Sequence, residues 1–182
     1  IDLSASSNDN TITGNTCNDN SYGIYLSLSS NNTITGNTCT NNNDAGIYLS
    51  SSNNNTITGN ICNNNIYSSY GIRIRESSTD NTITGNTCND NYQGIALSGS
   101  SNNTITGNTC NNNDNSGIYL YSSSDNTVTG NTCNNNNYGI YLGESSNDNV
   151  VTGNICKNNR NYGIDLSSSN NNTITGNTCN DN

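Results

Sequence analysis

The chain has 182 residues, a net charge of -9, 28% hydrophobic residues and no His, Met, Phe, Trp or Pro. Four basic residues against thirteen acids argue against nucleic acid and against anionic membrane surfaces as partners. No apolar run is long enough to span a bilayer, so membrane insertion is not expected, and composition alone reads as a chain too polar to fold.

Periodicity reverses that reading. The stretch Asn10-Thr11-Ile12-Thr13-Gly14-Asn15-Thr16-Cys17 returns seven more times, at 32–39, 55–62, 81–88, 103–110, 126–133, 149–156 and 172–179, with slight changes. Successive cysteines lie 22, 23, 26, 22, 23, 23 and 23 residues apart. A fixed period in this range marks a stacked repeat architecture.

In chain order, residues 1–9 are the back half of a repeat, and the first whole unit runs over 10–31. Thr11-Ile12-Thr13 alternates with period two, placing Ile12 inward on a first short strand. Cys17 takes the inward position of a second strand. Gly23-Ile24-Tyr25-Leu26 makes the third, with Ile24 and Leu26 inward and Tyr25 outward. Three asparagines five apart (Asn10, Asn15, Asn20) punctuate each unit, and Asn suits corners because it tolerates left-handed backbone. A Ser-rich link closes the unit. Length changes are confined to that link and to the corner after the third Asn, where 66–70 is the largest insertion; Arg73, Arg75 and Glu76 beside it make this the least repetitive surface.

Four apolar side chains per unit cannot close a core alone, but stacked units can. The expected fold is all-β: a right-handed parallel β-helix of about eight rungs of 22–26 residues, three short strands per rung, forming one domain over 1–182 with partial rungs at 1–9 and 172–182. With rungs about 4.8 Å apart the rod is roughly 38 Å long.

The pattern Asn-x-Ile-x-x-Asn-x-Ile-x-x-Asn-x-x-Gly-Ile-x-Leu, with its Ser-Ser-x-Asn link, resembles the parallel β-helix repeat of NosD-type periplasmic proteins. It is also similar to repeats of archaeal surface proteins and of carbohydrate-active β-helices. The resemblance implies the fold over the whole chain, while the matching residues are scaffold. Cys stands where those repeats usually carry a second Ile or Val.

Candidate functional columns follow from the stacking. Cys17, Cys39, Cys62, Cys88, Cys110, Cys133, Cys156 and Cys179 form one inward column, read as buried thiols or as rung-to-rung disulfides, since the rung spacing lies within disulfide range. Without His, a line of thiols is a poor cage for a metal, and no cofactor is expected. Asn15, Asn37, Asn60, Asn86, Asn108, Asn131, Asn154 and Asn177 are expected to form an amide ladder. Asn31, Asn54, Asn102 and Asn171 open Asn-x-Thr sequons, glycosylation acceptors in a secreted protein. Tyr25, Tyr48, Tyr119 and Tyr141 form a broken outward column suited to contact with sugars or another surface. Paired Thr columns at 11 and 13 resemble the Thr-x-Thr faces of ice-binding solenoids, but β-branched Thr is also a favoured strand residue.

No cluster of acids is evident, so the protein is expected not to be an enzyme. The leading expectation is a structural β-solenoid of the cell surface or exterior, in a surface layer, sheath, filament or stalk. Its partners would be copies of itself end to end, or neighbouring repeats of a longer chain. The first alternative is a carbohydrate-binding or carbohydrate-cleaving β-helix, and the second is an ice binder.

Overall fold

A computed structural model of the protein, describing residues 1–65 and 69–182, has the expected parallel β-helix. Most of the corner insertion at 66–70 lies outside the described residues. Sixteen strands and no helix occur among the described residues. The odd-numbered ones are β1 (Asp2–Leu3), β3 (Tyr22–Ser27), β5 (Ala45–Ser50), β7 (Tyr70–Arg75), β9 (Gln93–Ser98), β11 (Ser116–Tyr121), β13 (Tyr138–Gly143) and β15 (Tyr162–Ser167). The even-numbered ones are β2 (Thr11–Thr13), β4 (Thr33–Thr35), β6 (Thr56–Thr58), β8 (Thr82–Thr84), β10 (Thr104–Thr106), β12 (Thr127–Thr129), β14 (Val150–Thr152) and β16 (Thr173–Thr175). Odd strands form one parallel sheet and even strands a second, each in sequence order.

Register follows the repeat. Ile118 lies opposite Ile95 and Ile140, and Ile105 opposite Ile83 and Val128. The third wall of each rung is reduced from a strand to a single bridging residue, as at Thr16–Thr38 and Thr109–Thr132. The reason is local: only four residues separate Asn15 from Asn20, and both asparagines turn inward, leaving too little extended backbone for a longer strand.

The core is a set of columns. Ile24, Leu26, Ile34, Ile47, Leu49, Ile105 and their counterparts on the inner rungs are fully buried, whereas Leu166 and Ile174 on the last rung are exposed. The cysteine column lies against the glycines that begin the Gly-Ile pairs. A Cβ built on Gly117 would stand 2.7 Å from the Gly139 carbonyl oxygen and 2.8 Å from Cys133 Cβ. Only glycine lets these two walls close on each other. The corners carry left-handed backbone, with φ of 60° at Asn31, 58° at Asp90 and 63° at Gly107. Asn, Asp and Gly adopt it at least cost, which accounts for their abundance there.

Candidate functional site

The asparagine files set the frame. Asn37 Nδ2 donates to Asn60 Oδ1 on the following rung (3.0 Å) and to the Ile12 carbonyl on the preceding one (2.9 Å). Its own Oδ1 accepts from the Asn15 amide nitrogen (2.9 Å) and from Asn15 Nδ2 (3.0 Å). The rung-to-rung amide contact recurs along Asn60, Asn86, Asn108, Asn131 and Asn154 to Asn177. Two further files, through Asn32 and through Asn42, repeat the geometry. A fourth file was missed in the sequence: Ser29, Ser52, Ser78, Ser100, Ser123 and Ser146 are fully buried, with backbone N–H groups donating to the hydroxyl of the next rung, as from Ser29 to Ser52 (3.1 Å). Its signal was a serine at a constant place in every Ser-rich link.

The eight cysteines carry free thiols, seven buried and Cys179 exposed on the last rung, which no following rung covers. Burial, with hydrogen bonding to the thiols of Cys110 and Cys62, pushes the Cys88 thiol well above its ordinary value. Hydrogen bonds with the thiols of Cys39 and Cys88 shift Cys62 the other way, so the shifts along the column differ in sign. Asn31, Asn54, Asn102 and Asn171 are exposed, each in the left-handed conformation at the corner before an even strand. The threonine files face outward on the even-strand sheet, interrupted at Val150.

Chemistry concentrates on the outer face of the odd-strand sheet. The alternation that buries Ile24 and Leu26 turns Tyr25 out, and in-register pairing stacks it on Tyr48 with ring centroids 5.3 Å apart and planes 18° apart. Tyr22 joins them, 5.1 Å from Tyr25 and 5.0 Å from Tyr48. Further along, Tyr119 and Tyr141 stack at 5.4 Å and 8°, with Tyr138 edge-on to Tyr141 at 5.3 Å. The four tyrosines of the column thus form two separate pairs. Arg73 and Ala96 occupy the two places between them.

Arg73 ties the first cluster together. Its guanidinium lies 4.2 Å from the Tyr70 ring centroid and 5.7 Å from that of Tyr48. Nη1 donates to Asp44 Oδ1 at 3.3 Å, and Tyr22 OH donates to Asp44 Oδ2 at 2.8 Å. Arg75, two residues on, pairs with Glu76 at 3.5 Å, and Glu76 in turn accepts from Ser50 Oγ. Burial, then the hydrogen bond and charge of Asp44, push the Tyr22 phenol up to about 12. Burial, then the neighbouring phenols, do the same to Tyr119. These phenols hold their protons at neutral pH, among rings that are half-buried at Tyr22, Tyr25, Tyr119, Tyr138 and Tyr141 and buried at Tyr48.

The sequence profile of the family described as periplasmic copper-binding protein (NosD) matches residues 1–89 and 63–182. The chain belongs to the NosD family. No curated protein matches it. Among solved structures, the periplasmic alginate epimerase AlgG T265N T268M double mutant superposes with a TM-score of 0.86 at 22% identity, over 93% of this chain and 45% of that one. The mannuronan C-5 epimerase AlgE4 A-module of Azotobacter vinelandii gives 0.70 at 16% identity, over 85% and 59%. The DFA-IIIase of Arthrobacter chlorophenolicus A6 gives 0.66 at 17% identity, over 76% and 33%. The protein therefore spans about half the length of the structures it matches, and the likeness establishes the fold.

These comparisons correct the expectation that the protein is not an enzyme, because carbohydrate-modifying enzymes are built on this backbone. The expectation rested on finding acids only at separate corners. Stacking nevertheless gathers unlike polar groups that the sequence keeps apart: Asp44 sits at a corner, yet it meets Tyr22 and Arg73 on one outer face, although Arg73 lies 29 residues further along. The copper implied by the family's description does not fit the residues of this protein. Among the described residues no group of three His, Cys, Asp or Glu could surround an ion, and the thiols stand single file in the apolar core.

Proposed function

We propose that the protein is an extracytoplasmic, carbohydrate-active β-helix that holds a polysaccharide on the outer face of its odd-strand sheet. The observation that carries this reading is the stacked tyrosine row, Tyr25 on Tyr48 and Tyr119 on Tyr141, lying on a rigid sheet with proton-holding phenols around it. Flat rings with a polar tip suit pyranose faces, which are apolar across the ring and hydroxylated at the edge. Rings fixed by rung stacking lose little further freedom on binding. The NosD description and the AlgG structures are both periplasmic, and the matched structures include enzymes named for alginate and mannuronan. Both facts support this reading.

The test is titration of the protein with soluble polysaccharides, acidic and neutral, followed by calorimetry and by tyrosine fluorescence, which no Trp obscures. Replacing Tyr25 and Tyr48, or Tyr119 and Tyr141, pairwise by Ala is expected to weaken binding on the order of tenfold, at about 0.5–1.5 kcal/mol per ring contact. Binding by both double variants equal to that of the parent, or no binding by the parent, would overturn the proposal.

A structural role in a surface layer or stalk is a second reading, favoured by the uninterrupted asparagine files, which stiffen a rod whatever it carries. Electron microscopy of the native material tests it: ordered arrays or fibres support it, and dispersed particles count against it.

A further inference from the structure

The two tyrosine pairs are separated by a hollow of about 200 Å³ with Ala96 on its floor. Ala96 interrupts a column that elsewhere between Tyr25 and Tyr141 carries Tyr or Arg. It is 4% exposed, because it lies a full side-group length below its neighbours. One wall is the rung of Tyr70 and Arg73, and the other is the rung of Tyr119 and Tyr121. By the rung spacing the walls stand about 10 Å apart at the backbone. The volume is below the ~300–1,000 Å³ of pockets for drug-sized ligands, and suits a single ring.

The two walls differ in chemistry. Tyr119 is stacked on Tyr141 on the side away from Ala96, and no ring at position 96 covers the other side. Tyr121 of the same strand lies beside Tyr119, with ring centroids 6.1 Å apart, and the two rings together line the hollow. On the opposite wall stands Arg73, one of the four basic residues of the whole sequence, and Arg75 lies two positions on in β7, outside the lining of the hollow. Arg73 gives one hydrogen bond to Asp44, at 3.3 Å, and keeps further donors of its planar fork. Arg75 Nε makes no hydrogen bond, with Glu76 3.5 Å away. Both arginines are ion-paired, Arg73 with Asp44 and Arg75 with Glu76, and the donors that Arg73 does not spend on Asp44 suit a sugar carboxylate in the planar fork geometry.

We infer that the hollow over Ala96 is a subsite for one hexuronate unit of a polysaccharide, its ring on Tyr119 and its carboxylate on Arg73. The inference rests on the proposed function and adds the substrate class and the unit that is read.

The experiment titrates the whole protein with oligomers of mannuronate, guluronate and galacturonate, each against its methyl ester, which keeps the sugar and removes the charge. Acid is expected to bind at least about tenfold more tightly than ester, as for loss of a charge-assisted hydrogen bond, with the difference shrinking in high salt. Arg73→Gln is expected to erase the preference. Ala96→Tyr, which restores the ring found at the same place in neighbouring rungs, is expected to erase it as well while leaving binding on Tyr25 and Tyr48. Equal binding of acid and ester by the parent, or a preference that survives Ala96→Tyr with the melting temperature unchanged, would overturn the subsite and leave the proposed function standing. Failure of the parent to bind any glycan would overturn both.

Discussion

At the scale of single residues, the phenols report how the outer face is built. Tyr22 and Tyr119 are both raised from 10 to about 12, and burial is the leading cause for each. A group whose folded value lies above its unfolded value binds the proton more tightly when folded. Its contribution to stability is complete below about pH 10 and is lost as pH rises towards about 12. Stability is therefore expected to fall in that window. Absorbance titration near 295 nm should show three phenols, those of Tyr22, Tyr48 and Tyr119, ionising late in the native protein and on the ordinary curve in denaturant. Replacing Asp44 by Asn is expected to bring the Tyr22 titration back towards its usual value and to leave that of Tyr119 in place. A native titration with no late-ionising phenols would show that the rings are less enclosed than the geometry indicates.

At the scale of the element, the unit of this structure is the file and not the strand. Even strands are three residues long, too short to persist alone, and the side-group ladders beside them provide the continuity. Asn108 illustrates the arithmetic. Its Oδ1 accepts from Asn86 N and Nδ2, and its Nδ2 donates to Ile83 O and Asn131 Oδ1. Asn108→Ala leaves buried donors and acceptors unmet, at an expected loss of about 2–4 kcal/mol. Asn108→Asp is expected to cost more at neutral pH, since a carboxylate faces the carbonyl oxygens of Ile83 and Asn131 with no proton to offer. Lowering the pH protonates it, restores one donor, and should recover part of the loss. Calorimetric melts of both variants across pH check this, and an Asp variant as stable as the parent at pH 7 would mean the file is not sealed. The files also show what a sequence discloses. The inward columns and the corners were legible because each is tied to a period of 22–26 residues. The meeting of Asp44 with Arg73, and the hollow over Ala96, were not. They depend on which side groups of adjacent rungs lean together, and an alanine in a tyrosine column reads as a gap in a pattern until the walls on either side of it are placed.

At the scale of the whole molecule, each rung pairs only with the rungs beside it, so stability is close to a sum over neighbours. Removing residues 104–126 joins Asn103 to Thr127 and deletes one unit with every file still in register. That variant is expected to fold and to melt a few degrees lower. Removing 104–125 instead leaves one residue too many at the corner, where units of 22 and 23 residues already differ by one, so that variant is expected to fold as well with the extra residue bulged outward; circular dichroism and limited proteolysis check both, and loss of the C-terminal half in the second would show that the corner does not absorb the extra residue. The asparagine contacts have one more property. In all three files the amide-to-amide hydrogen bond runs one way, from the nitrogen of one rung to the oxygen of the following rung, from Asn10 to Asn32 as from Asn154 to Asn177. No amide among them is reversed, so their small dipoles add along the axis instead of cancelling. The asparagine files are thus polar along the rod, each with its negative end towards the first rung and its positive end towards the last.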